Sequence, residues 1–245
     1  MPGAVTEPVP SIWIDRAMRE ARVFAAFLRG DLRLWESEHA VPDQQRPALT
    51  EVAARAALAF DAAAEWLNQL PREVHTGYAI GVEAYDILLQ RGHFCAQSAG
   101  ALLQRVEAAM PAAKARFIAL ASEVAGSPDA LGAALAEDRA TGAGYLAAFT
   151  SQFDACRTFT RARDLVEWPD WPLRYVSIPL WAREIAPQLY FLFYRSPAPY
   201  EPRPEHLYLV TPVDDTIAPD ERERRLKAWN HSTITLNHVV HHGAL

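Results

Sequence analysis

A mainly α-helical fold with one small β element, around residues 165–213, is what this sequence predicts. Three observations carry the prediction. Apolar residues recur at helical spacing along most of the chain. Alanine, the strongest helix former, is abundant in the N-terminal half. Prolines and aromatic residues crowd into 165–199, where a regular helix could not continue.

The elements follow in order. Ile12, Ile14, Met18, Ala21, Phe24, Ala25 and Leu28 predict a helix of about five turns with Ser11 as its N-cap, preceded by a flexible terminus over residues 1–10. Pro42 and Pro47 mark a connection, and Thr50 with Glu51 opens an alanine-rich helix that Pro71 closes. Tyr78, Ile80, Val82, Tyr85, Leu88 and Leu89 line one side of a further helix over 77–90. The next runs over roughly 98–124, with Pro111 inside it as a kink or break. Ser127-Pro128 is a helix start. Phe149, Phe153 and Phe159 lie on a long helix over 145–164 whose last turns hold Arg157, Arg161 and Arg163, cations that suit the helix dipole there.

The register then changes. Leu207, Tyr208, Leu209 and Val210 before Thr211-Pro212 read as a strand, pairing with 174–178, and strands are expected only within 165–213. Pro219, Asp220 and Glu221 start a helix reaching about Asn230, and another from Ser232 carries Ile234, Leu236, Val239 and Val240. No internal repeat or low-complexity tract interrupts this order.

Composition narrows the function. The chain has 245 residues, half of them hydrophobic, enough for a buried core rather than disorder. A net charge of -6 from 24 basic and 30 acidic side chains speaks against nucleic acid as a partner. Cys95 and Cys156 have no paired spacing, which points to a reducing cytoplasm rather than a disulfide framework or a cysteine zinc site. No apolar run approaches the ~18 residues that a membrane helix needs, so no membrane is expected.

Chemistry concentrates at the end of the chain. Four of the eight histidines, His231, His238, His241 and His242, fall in the last fifteen residues, while the others stand at 39, 75, 93 and 206. On an α-helix His238 shares a face with His241 and with His242, so either pair could offer two imidazoles to one metal ion. The cluster is equally compatible with a solvated helix end, where histidine is favoured by the dipole alone. Neither pair is followed by the glutamate of a His-Glu-x-x-His site. Asp214-Asp215-Thr216 reads as a solvated turn before a metal site. The aromatics Trp168, Trp171, Tyr175, Trp181, Tyr190, Tyr194 and Tyr200 read as core before cleft lining.

The run Asn237-His238-Val239-Val240-His241-His242-Gly243-Ala244-Leu245 resembles the beginning of the pattern His-Glu-x-x-Pro-Gly-His-His of the domain-of-unknown-function-885 family. His241 matches the first histidine, His242 stands at the glutamate and Leu245 at the proline. The stretch from Gly77 through Tyr78 and Tyr85 to Leu88-Leu89 is similar to a further family landmark. So are Arg163-Asp164-Leu165-Val166, Ile178-Pro179, Ala186-Pro187 and the strand before Pro212.

The resemblance covers about 60–245 and implies a helical, zincin-like body. Residues 1–245 would then be one helical domain, the N-terminal portion of a larger metallohydrolase-like fold. It implies His241 and His238 as metal ligands and His242 as the catalytic residue in place of the glutamate base. The cofactor would be a divalent metal, zinc first, with iron, manganese or copper suited to an imidazole-rich site. The activity implied is peptide or amide hydrolysis, or a diverged metal-dependent reaction, on a peptide or small-molecule substrate. The site would be completed by residues after Leu245 or by a second polypeptide carrying the C-terminal half. The alternative is a non-catalytic binding or assembly protein on the same helical scaffold.

Overall fold

A computed structural model describes residues 7–74, 79–167, 172–188, 194–198, 200 and 205–244 of the chain. Most of residues 1–10, His75, Gly77, Tyr78, Trp168, Trp171, Tyr190 and Leu245, all named above, lie outside the described residues. The chain is mainly helical with little strand, as its periodicity predicts. Its contacts gather into two compact units: residues 1–116 with 180–188, and residues 117–179 with 189–245.

In the first unit α1 (Ser11–Arg29) packs along α3 (Arg46–Asn68). Ile14, Met18, Ala21 and Ala25 face Ala53, Ala57 and Ala64, all buried. Alanine on α3 lets the two backbones approach closely, and Phe24 stacks on Phe60 with ring centres 5.5 Å apart. The short α2 (Leu32–Glu38) lies between them in chain order. The chain entering α1 forms β1 (Val9–Pro10), which pairs in parallel with β2 (Arg72–Glu73).

That pairing lies outside the span where strands were expected. The residues that flank α1 and α3 run side by side, and Val9 N–H donates to Pro71 O at 2.9 Å. Ser11 is the first helical residue rather than the cap. Its hydroxyl donates to Glu73 O at 2.9 Å, tying the start of α1 to β2.

α4 (Val82–Ile87) passes into a π-turn (Leu88–Gly92). Of the apolar face expected there only Leu89 is buried, while Ile80, Val82, Tyr85 and Leu88 are exposed. α5 (Ala99–Ala125) follows, its start held by Asp86, which accepts from Ala99 N–H at 2.6 Å. The helix runs unbroken through Pro111. Proline there removes one backbone hydrogen bond, and the surrounding helix is exposed. At its end Gly126 takes φ of 80°, a conformation that glycine adopts without a Cβ penalty.

The second unit centres on α7 (Tyr145–Ala162) and a three-stranded sheet. α6 (Leu131–Glu137) begins after a turn in which Ser127 Oγ accepts from Ala130 N–H at 3.2 Å. Strand β3 (Leu173–Ser177) pairs in parallel with β5 (His206–Val210), and β4 (Tyr194–Arg195) pairs antiparallel on the other edge of β5. The register sets Tyr175 opposite Tyr208. Alternation along β5 turns His206, Tyr208 and Val210 inward. Tyr208 and Val210 share a core with Tyr145, Phe149 and Phe153, spaced four residues apart on α7.

α8 (Pro219–Ala228) opens with Asp220 and Glu221 in its first turn, and Glu221 bridges to Arg224 and Arg225. Asn230 then caps α9 (His231–Thr233), its Oδ1 accepting from Thr233 N–H at 3.1 Å. The final helix expected from Ser232 departs from the α form. After Thr233 it widens into a π-helix, Ile234–Ala244, which packs against α7 and buries Ile234 and Val239 in the core.

Candidate functional site

The π-helix decides which histidines can act together. Its i→i+5 hydrogen bonding gives a wider turn than the α-helix. A residue four positions on stays within about 40° of the first, whereas one three positions on swings by more than about 100°. His238 and His242 therefore stay on one side, with ring centres 5.9 Å apart. His241 turns away from His238 and meets His242 edge-on at 4.4 Å. His238 is half-buried, whereas His241 and His242 are exposed.

His238 is held from several sides. Its ring lies 4.0 Å from Trp229, with Phe149 and Tyr208 edge-on at 6.1 and 5.8 Å. Its Nδ1 is 2.7 Å from the Tyr208 hydroxyl. That hydroxyl sits in the core, where burial raises its pKa and keeps it protonated. Burial first and His242 second push the His238 imidazole down to about 4, so the ring is neutral at pH 7. His242 is also lowered, by burial and then by His241.

A neutral imidazole has one N–H and one lone pair. If Nδ1–H donates to Tyr208 Oη, Nε2 is left as an acceptor or a metal ligand. Ligating histidines are commonly oriented in this way by a hydrogen bond at the other ring nitrogen. Two imidazoles on one tetrahedral zinc, at Zn–N of about 2.0–2.1 Å, have ring centres about 5 Å apart. The His238–His242 separation is within a small side-chain adjustment of that value. This donor set fits a metal as a half-site. Among the described residues no group of three or more histidine, cysteine, aspartate or glutamate side chains could hold a metal ion.

A second tyrosine–histidine pair lies on the sheet. Buried His206 has its Nδ1 2.6 Å from the Tyr194 hydroxyl, across the β4–β5 pair. The hydroxyls of Tyr145 and Tyr175, also in this core, are buried without a hydrogen-bond partner. The other sequence candidates resolve as ordinary structure. Asp214 closes its own turn, accepting from Thr216 N–H at 3.1 Å, and Asp215 pairs with Arg222. Cys95 and Cys156 are free thiols, and burial raises that of Cys156. Of the described aromatics, Tyr175 is core while Tyr200 is exposed. His231 sits 3.7 Å from Asp138, away from the other three histidines in its contacts.

Sequence reasoning found the histidine cluster but not Tyr208, Trp229 and Phe149, which orient His238, nor the Tyr194–His206 pair. Alternation along β5 turns Tyr208 inward, but nothing local says that it meets a side chain thirty residues later. No protein-family model matches the chain, and no curated protein or solved structure matches it.

Proposed function

We propose that this chain is the N-terminal part or a subunit of a metal-dependent enzyme of the domain-of-unknown-function-885 type, hydrolysing peptide or amide bonds or catalysing a diverged metal-dependent reaction. The observation that carries the reading is the oriented, neutral His238, hydrogen-bonded to Tyr208 at 2.7 Å with His242 beside it. His238 and His242 would hold a divalent cation, zinc first, with His241 at the exposed edge as a further donor or proton carrier.

A catalytic zinc takes three protein ligands and an open position. Two imidazoles leave at least one donor, a carboxylate by the family pattern, to residues beyond Leu245 or to a second polypeptide. The cation when bound would polarise a carbonyl and acidify water. Tyr208 would fix the tautomer of His238, Trp229 and Phe149 would exclude water from its ring, and His242 or His241 would carry a proton at the exposed side.

The test is metal content and cobalt titration of the purified protein, alone and with any co-purifying chain. Bound metal should fall with His238→Ala and with His242→Ala. Tyr208→Phe should weaken binding by about 10–100-fold while leaving the fold intact. Absence of binding to the complete assembly, or binding indifferent to His238 and His242, rejects the site.

A further inference from the structure

α5 is unusual for its length. Nearly all of its residues are exposed, and among them are seven large apolar side chains, of which Ile118 stands off the line of the others: Leu103 at 59%, Val106 at 53%, Met110 at 57%, Phe117 at 53%, Leu120 at 50% and Val124 at 61%. With Ala113 the others stand at 103, 106, 110, 113, 117, 120 and 124. The intervals alternate three and four without a break, which is the a/d seam of a heptad repeat. A lone amphipathic helix normally buries such a seam. Pro111 falls at an outward b position of the same repeat, clear of the seam.

We propose that α5 pairs antiparallel with α5 of a second copy of this chain. The choice of partner and direction comes from the flanking positions. With Leu103 at a, the e positions hold Glu107, Lys114 and Ala121, and the g positions hold Leu102, Ala109, Arg116 and Glu123. An in-register parallel pair sets g against e of the next heptad: Leu102 on Glu107, Ala109 on Lys114 and Arg116 on Ala121. None of these is an opposite-charge pair, and Phe117 would meet its own copy.

An antiparallel pair sets e against e and g against g. In the register that lays Leu103 on Leu120, Val106 on Phe117 and Met110 on Ala113, Glu107 of each copy lies against Lys114 of the other, twice by symmetry. The Met110–Ala113 layer sets a large side chain against a small one, and the other layers are apolar throughout. Sliding one heptad in one direction stacks Lys114 on Lys114 and Arg116 on Arg116, and sliding in the other stacks Glu107 on Glu107. One antiparallel register therefore has both complementary layers and complementary charges, and a second copy of the chain satisfies it. The seam from Leu103 to Leu120 is about 26 Å long at 1.5 Å per residue.

The full chain tests this by sedimentation equilibrium at micromolar concentration, with no metal required, so the outcome is independent of the histidine site. The mass should be twice 27.3 kDa. Phe117→Asp should give a monomer with unchanged helical circular dichroism, since the side chain is exposed within the chain. Glu107→Lys or Lys114→Glu alone turns two attractive pairs into two repulsive ones and should weaken the dimer about tenfold. The double variant Glu107→Lys with Lys114→Glu should return to within about threefold of the parent, because it restores both pairs with their signs reversed. A monomeric parent chain, a dimer indifferent to Phe117→Asp, a double variant no tighter than the single ones, or a different polypeptide seated on α5 in place of the second copy would each overturn the proposal.

Discussion

Lowering the pH from 7 towards 4 probes how firmly the second unit holds His238 in its neutral form. The imidazole is shifted from its ordinary 6.5 to about 4 in the folded chain, by burial and then by His242. The folded state thus binds fewer protons than the unfolded state between those two values, and stability falls as the pH falls through that window. Above about pH 6.5 both states are neutral at this residue and its contribution is flat. At about 1.4 kcal/mol per pKa unit the shift corresponds to roughly 3 kcal/mol, and partial exposure of the ring brings the expected loss to about 1–2 kcal/mol.

Urea unfolding at a series of pH values, followed by tryptophan fluorescence, measures this directly. The parent protein should lose about 1–2 kcal/mol between pH 6.5 and 4 from this residue. In His238→Gln, which keeps a polar side chain beside Tyr208, that part of the slope should vanish. A shallower slope from His242, shifted in the same direction, should persist. Coincident pH slopes for the parent and His238→Gln would show that the residue titrates normally and is not held neutral by its surroundings.

Other substitutions test the fold beneath the site. Phe149 is fully buried on α7, so Phe149→Ala should cost about 3–5 kcal/mol in chemical denaturation and also loosen the packing edge of His238. Ala57 is fully buried on α3, and Ala57→Leu should destabilise the first unit by about 1–3 kcal/mol, read as a lower thermal midpoint. Asn230→Ala removes the side-chain cap of α9 and should cost about 1 kcal/mol, with faster amide exchange in the π-helix that follows.

Much of the fold was legible because its signals are local. The apolar stripe of α1 and Phe149 with Phe153 on α7 require only a helix and a core to face, although Phe159, named with them, is exposed. The strand before Pro212 and its partner over 174–178 came from alternation and turn chemistry, and β3 and β5 pair there. The β1–β2 pair was not legible, since two residues carry no period. The face expected over 77–90 failed for another reason. Periodicity says which side of a helix is apolar but not whether anything lies against it, and most of that side is exposed.

The site shows the same division more sharply. Clustering of imidazoles could be read from the chain, but their pairing rested on an assumed α-helical turn, under which 238 with 241 and 238 with 242 are equivalent. The π form separates those options. It keeps His242 on the side of His238 and carries His241 to the exposed edge. It also lets Ile234 and Val239, five residues apart, enter one core, a spacing that an α-helix spreads over about 140°. Burying both apolar residues against α7 compensates the less common geometry, and the histidine arrangement follows from that packing. His241, which aligns with the motif the sequence resembles, and His238, which Tyr208 holds, are therefore on different sides of the helix. Bringing His241 to the side of His238 would require the final turns to rewind to the α form, withdrawing Val239 from the core.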